Sequence, residues 1–485
     1  MRDVDVDRGE PIGVVGLWHL GSVTAACLAD AGNHVIGVDP DHEVIEGLIA
    51  SRPPVSEPGL EELLERNASR LDFTCETDAL AGARRAWVTF DTPVDDDDDA
   101  DVEWVLEQAS ELLEQLPAGS LVVVSSQLPV GSIARLQERC AARRGDGGLR
   151  FACVPENLRL GRALESFRAR DRIVAGVRSE EDRSELASLL APFSASVQWM
   201  RVESAEMTKH ALNGFLATSV AFINQVAEIC ESVGADAEEV SRGLKSEQRI
   251  GPGAYLGPGD AFAGGTLARD IGFLRGLAKR RGLPAHVFAG VADGNAAHKH
   301  WTRRKLLALL ATDGHGDGHA RDGVGDEDSR RQDALAGRRV AIWGLTYKPG
   351  TDTLRRSSAI ELCRWLVAAG ASVQAHDPAV SALPAELADR VELCSSALEA
   401  AGGANALVVC TAWPAYLEVP AEELLSVLAQ AQVIDPAGVL QASLGARPDV
   451  RYVRVGTPTE MRVRRRSDAM LVTDAGATPV AEVER

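Results

Sequence analysis

The chain has 485 residues, with 71 acidic against 51 basic side chains and a net charge of −20; it is too long for one compact domain and suits two or three. That charge argues against nucleic acid or an anionic membrane as the main partner, although a local basic pocket can still hold an anionic ligand. No stretch approaches the roughly 20 apolar residues of a membrane span, and the charged start MRDVDVDRGE is not a signal peptide, so a cytoplasmic location is expected.

The eight cysteines, Cys27, Cys75, Cys140, Cys153, Cys230, Cys363, Cys394 and Cys410, form no CxxC pair and mostly sit in apolar runs, as reduced core residues do. The ten histidines form no ligand set, and His298 and His300, two apart near a helix end, read as solvated. No metal is expected.

In chain order, short β-branched runs alternate with helical patterns: IGVVG at 12–16, HVIGVD at 34–39, AWVTF at 86–90, LVVVSS at 121–126 and DRIVAGV at 171–177. Such alternation predicts βαβ units and a mostly parallel sheet. The acidic run at 95–99 reads as an exposed loop. From about Val202 the pattern turns helical, and SAEMTKHALNGFLATSVAFINQVAEICESVG predicts one helix ended by Gly234. Its ~30 residues would span about 45 Å, enough to bridge two domains or seam a dimer. Residues 312–336, rich in Gly, Asp and His without periodicity, read as a linker. A second α/β alternation runs from RRVAIWGL at 338–345 through ASVQAHDP, ANALVVCTAW and AQVIDPAG. The predicted class is α/β, with two Rossmann-like doubly wound parallel sheets joined by a long central helix and helical segment. The predicted boundaries are 1–201, 202–311, the linker 312–336, 337–465 and a tail at 466–485.

IGVVGLWHLGSVTAACLADAGNHVIGVD reads as strand, turn, helix and second strand ending in an acid. In the GxGxxG fingerprint the first glycine makes the turn, the second admits a pyrophosphate and the third lets helix pack on strand. Gly16 and Gly21 fill the first and third places, and Asp39 is placed to accept hydrogen bonds from a ribose 2′-hydroxyl, which favours NAD over NADP. Trp18 holds the second place. It either crowds the pyrophosphate or turns outward and leaves its backbone N–H to serve.

The segments SEPGLEELL, DTP, SSQLPVGS, PENLRLG, AEMTKHALNGFLA, FINQVAEIC, QRIGPGAYLGPGDAFAGG, GLTYKPGTDTLRRSSA and HDP, in this order and spacing, make the chain resemble the UDP-glucose/GDP-mannose 6-dehydrogenase family. The resemblance runs through nearly the whole chain. It implies oxidation of the C6 alcohol of a nucleotide sugar with NAD, in polysaccharide or glycoside biosynthesis. It also implies an N-terminal NAD domain, a central helical segment forming a homodimer, and a C-terminal nucleotide-sugar domain. Cofactor contacts are expected at Gly16, Trp18, His19, Leu20, Gly21, Asp39, Thr92, Ser126 and Arg355, and substrate contacts at Arg249, Tyr255, Leu256, Gly259 and Lys348.

Lys209 and Asn213, four apart on one helix face, match the family's lysine and asparagine; a cation and an amide suit a developing oxyanion. Asp270 and Glu156 match carboxylates that support water and proton transfer, although either alone would suit a structural salt bridge. The family's nucleophile is a cysteine in FGGSCFPKD, where this chain reads FAGGTLARD at 262–270, with Thr266 at the cysteine and Arg269 at the lysine. Gln127 likewise stands at the family's catalytic threonine. Cysteine forms the thiohemiacetal through which an aldehyde goes on to an acid, so a two-electron oxidation to the aldehyde is expected. A four-electron route without cysteine and a non-catalytic NAD/nucleotide-sugar binder are the alternatives. TAWPAY and IDPAGVL also depart from the family's pattern, which leaves the sugar and base open.

Overall fold

The structure, a computed structural model, describes residues 9–94, 100–144, 148–156, 158–168, 171–263, 266–311 and 334–458. The acidic run at 95–99 and the tail at 466–485 lie outside them. The chain divides into two compact units, Met1–Gly214 with Arg269–Arg281, and Phe215–Ala268 with Gly282–Arg485.

The first unit is an eight-stranded sheet of β1 (Ile12–Val15), β2 (Val35–Val38), β3 (Leu71–Thr74), β4 (Arg85–Val88), β5 (Leu121–Val124), β6 (Arg150–Cys153), β7 (Ile173–Gly176) and β8 (Val197–Met200). Its order is β3-β2-β1-β4-β5-β6-β7-β8, the first six strands in the dinucleotide-binding arrangement. Every pairing is parallel except β6 with β7. Successive side chains of a strand point to opposite faces. Val14 and Val123 accordingly join one apolar cluster, and Val15, Val122 and Val124 the other. A sheet covered on both faces needs apolar residues at both parities, which is why β1 and β5 read as unbroken apolar runs.

In the second unit, β9 (Arg339–Trp343), β10 (Ser372–His376), β11 (Val391–Leu393), β12 (Ala406–Val409), β13 (Gln432–Ile434) and β14 (Arg451–Val453) form an all-parallel sheet. Its order, β11-β10-β9-β12-β13-β14, repeats that of the first six strands. The α/β class with two parallel sheets is as the alternation predicts. The turn after β9 also repeats the turn after β1: Gly16 and Gly344 have φ of 87° and 89°. Asp39 accepts from Leu17 N–H at 2.6 Å, and Asp377 accepts from Leu345 N–H at 2.7 Å. Asp377 Oδ2 takes three further donors, Thr346 N–H at 3.0 Å, Thr346 Oγ1 at 3.1 Å and Trp413 Nε1 at 3.0 Å.

One helix, Val202–Val233, spans 32 residues, and Gly234 follows it at φ 80°, the left-handed stop that glycine adopts without strain. Residues 202–214 of this helix fall in the first unit and 215–233 in the second. Within the second unit Glu231 ties the helix down, accepting from Gly456 N–H at 2.8 Å and Trp301 Nε1 at 3.0 Å and pairing with Lys305 at 2.6 Å.

Two expectations are corrected here. His298 is buried rather than solvated, because Nδ1 lies 2.7 Å from Glu228 and Nε2 2.8 Å from the Gly259 carbonyl. The predicted linker also ends too late: 312–333 lies outside the described residues, but Leu335 is fully buried in the core around β9. All eight cysteines are free. Among the described residues no cluster of His, Cys, Asp or Glu could hold a metal, and no helix is long and apolar enough to cross a membrane.

Candidate active site

The turn between β1 and the helix His19–Asp30 requires its glycines. A Cβ on Gly16 would lie 2.6 Å from the Phe90 ring, and one on Gly21 would run into the Gly16 carbonyl oxygen. Trp18 precedes the helix as its N-cap with no side-chain capping bond, and its indole is half exposed. Asp39 is buried at the end of β2 and accepts from Leu17 and Asp41 N–H at 2.6 and 2.9 Å. Burial raises its carboxyl above the usual range, and the two hydrogen bonds oppose the rise. The first N–H groups of a helix lack intrahelical partners. Here Leu20 N–H is taken by Asp91 Oδ2 at 3.3 Å, a residue that sequence reasoning did not single out. Thr92 Oγ1 donates to the Gln127 carbonyl at 2.8 Å. The buried Ser126 hydroxyl makes no hydrogen bond to the described residues. Two positions without room for a side chain, an acid closing β2 and an orphaned buried hydroxyl fit a dinucleotide.

A second cluster forms on the first turns of the long helix. Its Ala, Glu, Met and Leu content favours the helix, and Lys209, His210 and Asn213 share neighbouring positions over about one turn. The fully buried Asp270, on the helix Thr266–Arg280, is the hub. Its Oδ2 accepts from Gln127 Nε2 at 2.9 Å and from Asn213 Nδ2, and its Oδ1 lies 2.5 Å from His210 Nδ1. The Arg269 guanidinium donates to Gln127 Oε1. His210 is itself buried, with Nε2 on the Leu128 carbonyl at 2.9 Å and its ring edge-on to Phe273 at 5.4 Å. Glu206, one turn earlier, accepts from Gly131 and Ile133 N–H at 2.8 and 3.1 Å and so fixes the segment after Leu128.

Burial pushes the Lys209 ammonium below the usual lysine range. The carboxylates of Asp270 and Glu156 oppose the shift, and Arg269 adds to it. Lys209 and Glu156 line a cleft of about 440 Å³ together with Arg159, Arg162, Asp171 and Arg172. The sequence-predicted Lys209, Asn213, Asp270 and Glu156 therefore lie in one unit, and the structure adds Gln127, which stands at the family's threonine, and His210, which no motif flagged. Thr266 is the exposed first residue of the helix that carries Asp270, one turn before it.

The expected substrate residues lie in the second unit. Asn224 holds Gly259, accepting from its N–H at 3.0 Å and donating to the Asp260 carbonyl at 3.1 Å. The buried Leu256 carbonyl accepts from Ser241 at 2.5 Å. Arg249 is exposed and paired with Glu247 at 3.0 Å, Tyr255 is exposed, and the Lys348 ammonium lies 5.6 Å from the Tyr347 ring. Arg355 is exposed between β9 and the helix Ser358–Ala368.

Three descriptions of one family match the chain: the NAD binding domain over residues 10–194, the central domain over 203–297 and the UDP binding domain over 341–442, each of the UDP-glucose/GDP-mannose dehydrogenase family. The UDP-glucose 6-dehydrogenase of Pseudomonas aeruginosa is 32% identical over 461 residues, 92% of this chain and 97% of that protein. The UDP-glucose 6-dehydrogenase TuaD of Bacillus subtilis is 31% identical, covering 91% and 94%. Among solved structures, a UDP-glucose dehydrogenase from Pyrobaculum islandicum superposes with a TM-score of 0.75 at 30% identity, over 89% of this chain and 95% of that one.

Proposed function

Because the chain belongs to the UDP-glucose/GDP-mannose dehydrogenase family, whose members are NAD-dependent nucleotide-sugar dehydrogenases, we propose that it oxidises the primary alcohol of a nucleotide-linked sugar and stops at the aldehyde. The observation that carries the second half is the threonine in FAGGTLARD, together with the absence of cysteine between Cys230 and Cys363.

Gly16, Trp18, His19, Leu20, Gly21, Asp39, Thr92 and Ser126, with Arg355, are the residues proposed to hold NAD. When bound, NAD accepts a hydride from the alcohol carbon. Lys209, its ammonium destabilised by burial, receives the alcohol proton, so that alcohol and oxidised cofactor become aldehyde, reduced cofactor and a protonated lysine. Asn213 has a second amide N–H beyond the one given to Asp270. That N–H stabilises the oxygen as negative charge develops on it. Glu156 faces the same cleft as Lys209 and positions water or the sugar hydroxyls. Arg249, Tyr255, Leu256, Gly259 and Lys348 hold the nucleotide sugar, the cations making charge-assisted contacts to its diphosphate.

A second oxidation requires a tetrahedral adduct at the aldehyde carbon. A cysteine with a thiol pKa of about 8.5 supplies a fraction of thiolate near neutrality, but a threonine hydroxyl must be deprotonated by a base. Asp270, the carboxylate one turn along the same helix, has its oxygens engaged by Gln127, Asn213 and His210. Thr266 is therefore a poor nucleophile.

Exposed apolar side chains on the 215–233 part of the long helix support a homodimer. Phe215, Phe222 and Ile229 are 67%, 49% and 57% exposed, and their spacing of seven places them on one stripe. A cytoplasmic setting accords with free cysteines throughout.

The test is NADH formed per sugar consumed across a panel of UDP-, GDP-, ADP- and dTDP-sugars. One NADH with a trappable aldehyde is expected. Two would refute the two-electron reading, and none across the panel would refute nucleotide-sugar oxidation.

A further inference from the structure

His210 lies between two acceptors. Its Nε2 is 2.9 Å from the Leu128 carbonyl oxygen, which can only accept, so Nε2 carries a hydrogen. Its Nδ1 is 2.5 Å from Asp270 Oδ1, and both side chains are buried. If Nδ1 were bare while Asp270 was ionised, two lone pairs would meet where water cannot intervene. The short contact therefore holds one proton. Asp270 Oδ2 already accepts N–H groups from Gln127 and Asn213, and donors to a carboxylate favour its ionised form. The proton accordingly belongs to the imidazole, and the pair is an imidazolium against a carboxylate.

This pair changes what the neighbouring lysine meets. Lys209 precedes His210 on the helix and faces Asp270 and Glu156 as carboxylates and Arg269 as a cation. His210 itself faces Asp270 from one helix and Glu206 from its own, and Glu206 is committed to the amides of Gly131 and Ile133. One of the two carboxylates that Lys209 faces is thus already matched by a cation.

We propose that His210 is a positioning residue: as an imidazolium it neutralises Asp270, and so leaves Lys209 able to release its own proton and receive the one from substrate. The link to catalysis rests on the dehydrogenase reading; the link between His210 and Lys209 does not. An unpaired Asp270 carboxylate would stabilise the lysine ammonium and draw its titration back up.

Both halves can be read in the full chain without turnover. Nitrogen-15 spectra of histidine-labelled protein, with His210 assigned by its loss in His210→Asn, should show both ring nitrogens protonated in the folded protein at pH 7. A bare ring nitrogen at pH 7 would overturn the charge assignment. Site-resolved amine labelling across pH should give Lys209 a midpoint below the ordinary lysine value. In His210→Asn, whose amide can still donate to Asp270 but brings no charge, that midpoint should rise toward the ordinary lysine value. The acid limb of kcat/KM should move with it. An unmoved midpoint in the folded variant would overturn the proposal. A moved midpoint in a protein that turns over no nucleotide sugar would instead sink the dehydrogenase reading and leave the His210 coupling standing.

Discussion

Asp270 offers the sharpest energetic contrast in the molecule. In Asp270→Ala the imidazolium of His210 and the donors Gln127 and Asn213 all lose their acceptor inside the fold. Removing one partner of a buried pair costs about 3–5 kcal/mol, because the charge left behind is uncompensated. In Asp270→Asn an amide oxygen can still accept from Gln127 and Asn213, while its NH2 turns to a His210 that drops its Nδ1 proton. Three charge-assisted bonds become neutral ones, each weaker by about 1 kcal/mol, and relief of the two ions' desolvation offsets part of that loss. The net cost is about 1–3 kcal/mol. For a unit of roughly 150–250 residues each kcal/mol moves a melting midpoint by about 2–4 °C. The alanine variant should therefore melt about 6–20 °C below wild type in scanning calorimetry of the full chain, and the asparagine variant clearly above it. Equal midpoints for the two would refute the charge pair; an alanine shift under about 2 °C would refute the hub itself.

Three other substitutions test the remaining claims. Thr266→Cys should raise NADH per sugar above one, in stopped assays that also trap aldehyde; a ratio still at one would place the block elsewhere. Asp91→Asn should tighten NAD by about three- to ten-fold at low salt, since a carboxylate at a helix start competes with an anionic ligand for the same amides; weaker binding by calorimetric titration would mean that Asp91 helps to build the site. Phe222→Asp, half exposed on the helix stripe, should shift sedimentation toward monomer with the melting midpoint nearly unchanged, and an unaltered sedimentation coefficient would move the dimer contact off this helix.

The parts of the fold legible in the sequence are those whose signals are local. β1, its turn and the following helix are written in consecutive residues, and the long helix in a sustained 3.6-residue period ended by Gly234. β3, β8, β11 and β14 did not stand out, because they are sheet-edge strands whose short apolar runs are broken by polar residues. β6, though central, holds no β-branched residue. The proposed site divides in the same way. Lys209, Asn213, Glu156 and Asp270 were found through motif resemblance, which tags a position by its neighbours in the chain. His210 had no such tag: its partners lie 60 and 82 residues away in sequence, and only the packing of two helices and a loop brings them together. His298 was misread for the same reason, since its partner Glu228 is 70 residues distant.

The matching turns after β1 and β9 have diverged in one respect. A carboxylate oxygen has room for only a few donors, and Asp377 Oδ2 already serves two amides, a hydroxyl and an indole. Asp39, with one amide on each oxygen, keeps lone pairs to offer a sugar diol. At that one oxygen the same structural part is thus open in one half of the chain and a rivet in the other.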